Sequence, residues 1–253
     1  MPGKFDITFP VRYQDTDQRL LATPTALIGI MQEAAILHSE AVGRGIDYLS
    51  SRHLSWMIVQ TRAQIKGPPV WRTRVRVSTW PSEMGRLLSR REFILSDDEG
   101  RPFLTATTLW AFMNTQKRKV TRVPAEVGNA YSVFGERALE GPFRRPARCD
   151  NPRLEKSFFI RRWEIDFNGH VNNLRYLDWM LETLPDDIWE SYCICGLNIR
   201  YQKEAGPAGK VQALAVELAA DSPEQRSFAH EVRLGDTGEP IAVAETAWIS
   251  LAP

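Results

Sequence analysis

The chain has 253 residues, 43% of them hydrophobic and 25% charged, the proportions of a soluble globular protein of one or two domains with enough apolar mass for a sizeable core. A formal charge of +1 gives no basic excess of the kind that nucleic acid or a membrane surface selects, and no apolar run approaches the roughly 18 residues of a membrane span. The opening MPGKFDITFPVRYQD lacks the succession of a signal peptide, so a cytoplasmic chain is expected, and the three cysteines, Cys149, Cys193 and Cys195, read as reduced, buried thiols rather than a disulfide framework.

In chain order, the first strong element is an amphipathic helix. Thr23 is a good N-cap, Pro24 suits the first helical position, Leu27, Ile30, Met31, Ala34 and Leu37 follow one face, and Gly43 is a natural stop. Alternation and β-branched or aromatic content then predict strands near 55–65, 70–80, 86–97 and 102–114. A Pro-, Gly- and charge-rich stretch from Val123 to Arg153 reads as a linker running over the surface. Beyond it, SFFIRRWEI is expected to be a strand, and a second helix begins after Asn172 and Asn173, with Leu174, Leu177, Leu181 and Leu184 in helical spacing before Pro185. Four more strands are predicted near 196–204, 209–220, 226–234 and 240–250.

The two halves repeat. IVQTRAQIKGPPVWRTRVRV can be laid over LNIRYQKEAGPAGKVQALAV with Gly67 on Gly206, an offset of 139, and DDEGRPFLTATTLWAF over GDTGEPIAVAETAWIS with Trp110 on Trp248, an offset of 138. A helix followed by several antiparallel strands, twice over, gives an α+β fold in which a curved sheet encloses a central helix: a tandem hotdog, with units at 1–124 and 155–253, a linker at 125–154, and the two sheets side by side. Neither a Gly-rich phosphate loop nor a metal-ligand spacing is present, so no cofactor and no metal are expected.

The chemistry-bearing stretch is WEIDFNGHVNNLRYLDWMLETLP, which sets Asp166, Asn168 and His170 at the entrance to an apolar helix. If residues 166–170 are extended, those three side chains share one face and meet the positive end of the helix that follows, a place that suits an oxyanion held by the N–H groups near Val171 and Asn172. The same residue types also form ordinary turns.

Several pieces in order resemble the plant-type fatty acyl-ACP thioesterases: VSTWPSEMGRLLSRREF, TLWAFMNTQKRKVTRVP, the Asp-x-Asn-x-His-Val-Asn-Asn segment at Asp166–Asn173, and YQKEAGP, spanning about Phe9 to Ser250. The resemblance implies hydrolysis of fatty acyl-acyl carrier protein, which ends fatty-acid synthesis, and assigns catalytic roles to Asp166, Asn168, His170 and Glu204. Where that family usually has cysteine, this chain has Ala205, so water rather than a thiol is the expected nucleophile, with Glu204 as its base. Strand alternation alone would send Glu204 to the side opposite Tyr201 unless a bulge beside Ala205-Gly206-Pro207 re-aims it.

An offset of 151 places Asp15, Asp17 and Arg19 on Asp166, Asn168 and His170, so the first half lacks the Asn and His; it is expected to supply scaffold and acyl pocket, the latter from Leu27, Ile30, Met31, Trp56 and Met57. Basic groups at Gln116–Lys119, Phe143–Arg148 and Ile160–Arg162 could receive an acidic carrier protein. Alternatives are an acyl-CoA thioesterase and a non-catalytic acyl-thioester sensor. Chain-length preference, and pairing of two chains into a homodimer, are left open by the sequence.

Overall fold

A computed structural model describes residues 3–219, 222 and 224–251. The chain forms two compact units, Met1–Pro142 and Phe143–Pro253. No helix among the described residues is long and apolar enough to cross a membrane.

The first unit runs β1 (Phe5–Pro10), α1 (Pro24–Ala41), α2 (Ile46–Ser50), β2 (Leu54–Ile65), β3 (Arg74–Met84), β4 (Leu88–Ser96), β5 (Pro102–Asn114), β6 (Lys119–Val120) and α3 (Ala125–Gly128). Its sheet is antiparallel in the order β1-β3-β4-β5-β2, with β6 on β5. Thr23 caps α1 as expected, its Oγ1 accepting from the Ala26 N–H at 3.2 Å, and Gly43 follows the helix at φ 68°. Leu27, Met31 and Ala34 are buried and Ile30 and Leu37 half-buried, but Ile28, Ala35 and His38 are buried too, so α1 hides more than one stripe, as a helix enclosed by a curved sheet must. The FDITFP alternation, not read from the sequence as a strand, is β1. The strand expected from residue 70 begins at Arg74, because Arg72 takes φ 73° and Val70 forms only an isolated bridge with Leu21.

Inside this unit, fully buried Phe93 and Leu95 accompany an unusual polar group. The Arg91 guanidinium, on β4, donates through Nη1 to His38 Nδ1 at 2.9 Å and to Thr79 Oγ1 at 3.3 Å, while Phe5 stacks on the His38 ring and Tyr131 meets it edge-on. Burial first, then the Arg91 charge, push His38 down to about 4, so at neutral pH the imidazole is neutral and accepts from the arginine.

Residues 134–142 lie against the opposite face of the sheet. Glu92, fully buried, takes hydrogen bonds from Ser82 Oγ (2.6 Å), Arg90 Nε (2.9 Å), Thr107 Oγ1 (3.1 Å) and the Ala138 N–H (3.2 Å). Trp80 Nε1 donates to the Glu136 carbonyl and Arg90 Nη2 to that of Leu139. A carboxylate removed from water needs such partners, so the segment read as a surface crossing is pinned here by a buried polar network, with Val127 and Tyr131 in a core cluster beside Leu49 and Phe112.

The second unit runs β7 (Leu154–Phe159), α4 (Asn173–Leu181), α5 (Asp186–Ser191), β8 (Tyr192–Tyr201), β9 (Lys210–Glu217), β10 (Gln225–Leu234) and β11 (Pro240–Ser250), with sheet order β8-β11-β10-β9-β7, again antiparallel. The strand expected over SFFIRRWEI ends at Phe159, and Arg162–Glu164 is a 3-10 turn. The strand expected to reach 220 ends at Glu217; residue 220 lies outside the described residues. The helix is nine residues long against eighteen for α1 and buries Tyr176, Leu177, Trp179, Met180 and Leu181. Each unit is thus a hotdog, helix against a curved antiparallel sheet.

Both units carry one bulge in the same place. On β2, Val59 is skipped opposite Leu109 and Trp110; on β8, Cys195 is skipped opposite Ala247 and Trp248. Trp110 Nε1 donates to Thr108 Oγ1 at 2.7 Å and Trp248 Nε1 to Thr246 Oγ1 at 2.9 Å, so the 138 offset read from the sequence holds there (248 − 110). The 139 offset does not. Phe9 pairs with Val75 and Phe158 with Val211, which aligns β3 with β9 at 136 (211 − 75). The connections at 66–73 and 202–209 are equally long, and their Gly-Pro dipeptides sit at different points along them.

Candidate active site

The segment Asp166–His170 is not extended. Ile165 and Val171 form a bridge, the Asp166 N–H donates to the His170 carbonyl at 2.8 Å, and the residues between make a tight loop with Gly169 at φ 78°. The Asp166 carboxylate faces inward across this loop and accepts from the Asn168 N–H at 2.8 Å and the His170 N–H at 3.3 Å. That is an Asp-initiated turn: two backbone donors are satisfied locally, and the competing extended conformation loses. The three side chains therefore do not share a strand face. Asn168 is exposed at the loop tip, and His170 is turned toward the body of the unit.

What His170 meets is Glu204, at 3.2 Å from Nε2 to Oε2, with the side chains 26% and 43% exposed. Two features bring Glu204 there. At the end of β8 the N–H groups of Gln202 and Lys203 both donate to the Ile241 carbonyl (2.8 and 3.1 Å), the mark of a bulge, which cancels the alternation that would have turned Glu204 away. Ala205 is then clamped: its N–H donates to the Tyr176 hydroxyl at 2.8 Å and its carbonyl accepts from the Val171 N–H at 3.0 Å. Tyr176, on α4, was not singled out in the sequence; its signal is an aromatic with a polar tip four residues after the cap Asn172, on the buried side of the helix. Burial, more than the neighbouring Glu204 and Asp166 charges, pushes its hydroxyl up to about 12, so it stays a neutral phenol.

The same hydrogen bonds correct the expected oxyanion donors. The Val171 N–H is taken by Ala205 and the Asn172 N–H by the Glu164 carbonyl at 2.8 Å, while the Asn172 side chain caps α4 by accepting from the Leu174 N–H at 2.9 Å. Neither backbone donor is left to hold a substrate carbonyl. Of the side chains expected at the site, the Asn168 carboxamide is exposed at the loop tip and carries a donor.

The expected acyl lining is only partly coherent. Leu27 and Met31 are fully buried in the first unit and Ile30 is half-buried. Trp56 packs edge-on against Phe112 at 4.6 Å, but Met57, next along β2, projects to the other face, so the five side chains do not form one lining.

The first unit contains the same loop without the chemistry. Thr16 bridges Ala22, the Asp17 N–H donates to the Leu21 carbonyl, and Asp17 Oδ1 accepts from the Arg19 and Leu21 N–H groups. Arg12 with Asp15 and Arg161 with Glu164 cap the preceding turns alike. The structural offset is therefore 149 (166 − 17), which corrects the sequence register of 151: Asp17 matches Asp166, Arg19 matches Asn168, and Leu21 matches His170. The loop scaffold is common property, and only the second unit adds the carboxamide and the imidazole.

Residues 2–131 match the acyl-ACP thioesterase N-terminal domain and residues 149–250 the acyl-ACP thioesterase C-terminal domain. The chain belongs to the acyl-ACP thioesterase family. Similar relatives include a chloroplastic palmitoyl-acyl carrier protein thioesterase of Cuphea hookeriana, 27% identical over 96% of this chain and 62% of the relative, and a chloroplastic dodecanoyl-[acyl-carrier-protein] hydrolase of Cinnamomum camphora, 28% identical over 96% and 67%. The chain thus spans a little over three fifths of the Cuphea relative's length. Among solved structures, the 12:0-ACP thioesterase from Umbellularia californica superimposes with a TM-score of 0.86 at 26% identity, covering 98% of this chain and 94% of that one. In this thioesterase-family chain the pair facing each other at the site is His170 and Glu204, and the neighbour of Glu204 is an alanine, fully enclosed.

Proposed function

We propose that this chain hydrolyses the thioester of a fatty acyl chain carried on acyl carrier protein, releasing the free fatty acid and so ending chain elongation. The observation that carries the proposal is the His170–Glu204 contact at 3.2 Å, made between segments 34 residues apart (204 − 170) in a chain of this family. Glu204 is the general base: it takes a proton from water as the water oxygen attacks the carbonyl carbon, the C–S bond breaks, and the thiolate leaves and is reprotonated. His170 holds Glu204 in place and exchanges protons with it, Asp166 holds the loop, and Asn168 donates to the carbonyl oxygen, where one good donor in acyl-transfer sites supports roughly 3–4 kcal/mol of transition-state stabilisation. With Ala205 beside the base, no acyl-enzyme forms on a thiol at that position.

The second unit is the catalytic half and the first, carrying Arg19 and Leu21 in the corresponding loop, is scaffold. Leu27, Ile30 and Met31 remain candidates for contact with the acyl chain. The experiment is to mix purified protein with a long-chain acyl-ACP and the matched acyl-CoA and follow free thiol. Release from acyl-ACP that disappears in a His170→Ala, Glu204→Ala double variant is expected; release no faster than from that variant refutes the proposal.

A further inference from the structure

Phe159, Trp163 and Phe167 are 69%, 64% and 74% exposed, and all three lie within nine residues that lead into and through the Asp166–His170 loop. Single exposed apolar residues are common, but three large exposed aromatics within nine residues of chain leading to the candidate site are a liability unless something covers them. The first unit supplies a control for whether the fold requires them. At the structural offset of 149 the corresponding residues are Pro10, Gln14 and Gln18, in the same strand end, the same 3-10 turn and the same loop. The local backbone is thus built without an aromatic at any of these three positions; the first unit's matching turn exposes a single aromatic, Tyr13, which packs edge-on against Trp71, whereas the half that holds His170 and Glu204 exposes three.

Two of the three rings have cations beside them. Arg161 and Arg175 stand 5.8 and 5.3 Å from the Trp163 ring, and Lys210 Nζ stands 4.8 Å from that of Phe159. Arg175 shares its charge with Asp178 at 2.7 Å, while Arg161 and Lys210 are exposed. Exposed aromatics with positive charge beside them complement a partner that offers apolar groups together with carboxylates or a phosphate. A formal charge of +1 for the whole chain leaves this positive charge a local feature, unsuited to a long polyanion such as nucleic acid.

We propose that the Phe159–Trp163–Phe167 face is the seat of an acidic carrier protein, whose phosphate-anchored arm delivers the thioester to the adjacent loop; the inference rests on the function proposed above. The rings supply apolar contact, and Arg161 and Lys210 select the acidic surface and phosphate. Trp163→Gln with Phe167→Gln tests it, because these are the residues that the first unit carries in an equivalent loop. For acyl-ACP, KM is expected to rise about tenfold or more with kcat within about twofold, while hydrolysis of the matched acyl-N-acetylcysteamine thioester, which lacks the carrier, is retained. Affinity for an amide-linked, unreactive acyl-ACP should weaken by the same factor, and more weakly at high salt for the wild type.

An unchanged KM for acyl-ACP, or equal losses on both substrates, overturns the docking role. The direct binding measurement separates this outcome from failure of the hydrolase itself. A wild type that hydrolyses neither thioester yet binds the amide-linked carrier through Trp163 and Phe167 refutes the enzyme and supports the seat; hydrolysis with unaltered carrier binding in the variant does the reverse.

Discussion

Glu204→Gln keeps the length and shape of the side chain, and its carboxamide can still meet His170 across the 3.2 Å gap, but it cannot accept a proton from water. General-base assistance contributes about 10²–10⁴ in rate, or about 2.7–5.5 kcal/mol of barrier. The stability cost should be far smaller. Both partners are solvent-accessible, at 26% and 43%, and a polar side-chain contact so exposed is worth about 1 kcal/mol or less. Activity and stability therefore separate: kcat on acyl-ACP should fall at least about a hundredfold while the melting temperature moves by only a few degrees. Initial rates of thiol release and a thermal melt on the same preparations measure both. Rates within about threefold of wild type would falsify the general-base role, and a large loss of melting temperature would show that Glu204 acts through the fold.

Tyr176→Phe removes the acceptor of the buried Ala205 N–H, so a loss of about 1–3 kcal/mol in urea unfolding is expected, together with a fall in kcat as Glu204 loses its clamp; an active, undiminished variant would show that the clamp is dispensable. Glu92→Gln should cost about 3–5 kcal/mol, since it leaves the Arg90 guanidinium, 12% exposed, without its carboxylate, and protease cleavage within 134–142 should accelerate; resistance equal to wild type would count against the tether. Burial depresses His38 to about 4 and His230 to about 3 from 6.5, so the unfolded chain binds protons first as pH falls. Stability from these two groups is complete above about pH 6.5 and declines toward pH 4 and 3, by about 2 kcal/mol each at pH 5. Urea midpoints at pH 7 and 5 check this, and His38→Gln should remove about half of the difference.

Local patterns determined a good deal. The cap at Thr23, the Gly43 stop and the period-two runs fixed α1 and most strands to within a few residues, because caps and alternation depend on near neighbours in the chain. The Asp-x-Asn-x-His segment marked the loop, and the repeated tryptophans placed β5 on β11 correctly. What the sequence misjudged were matters of hydrogen-bond competition. Asp166 prefers two backbone donors inside a turn to a place on a strand; the Val171 and Asn172 N–H groups are spent on carbonyls contributed by Ala205 and Glu164; and a Gly-Pro dipeptide is a poor anchor for register when it shifts along a loop of constant length.

Only tertiary structure could set Glu204 beside His170. That contact depends on a bulge defined by a carbonyl 39 residues downstream (241 − 202) and on a hydroxyl from the helix, neither of which leaves a periodic trace in the β8 sequence. The chain's own residues thus dictated which helices and strands form and which side chains have the chemistry, since those follow from local sterics and hydrophobic period. Which of those side chains meet was decided by long-range pairing, where each buried donor must find its acceptor.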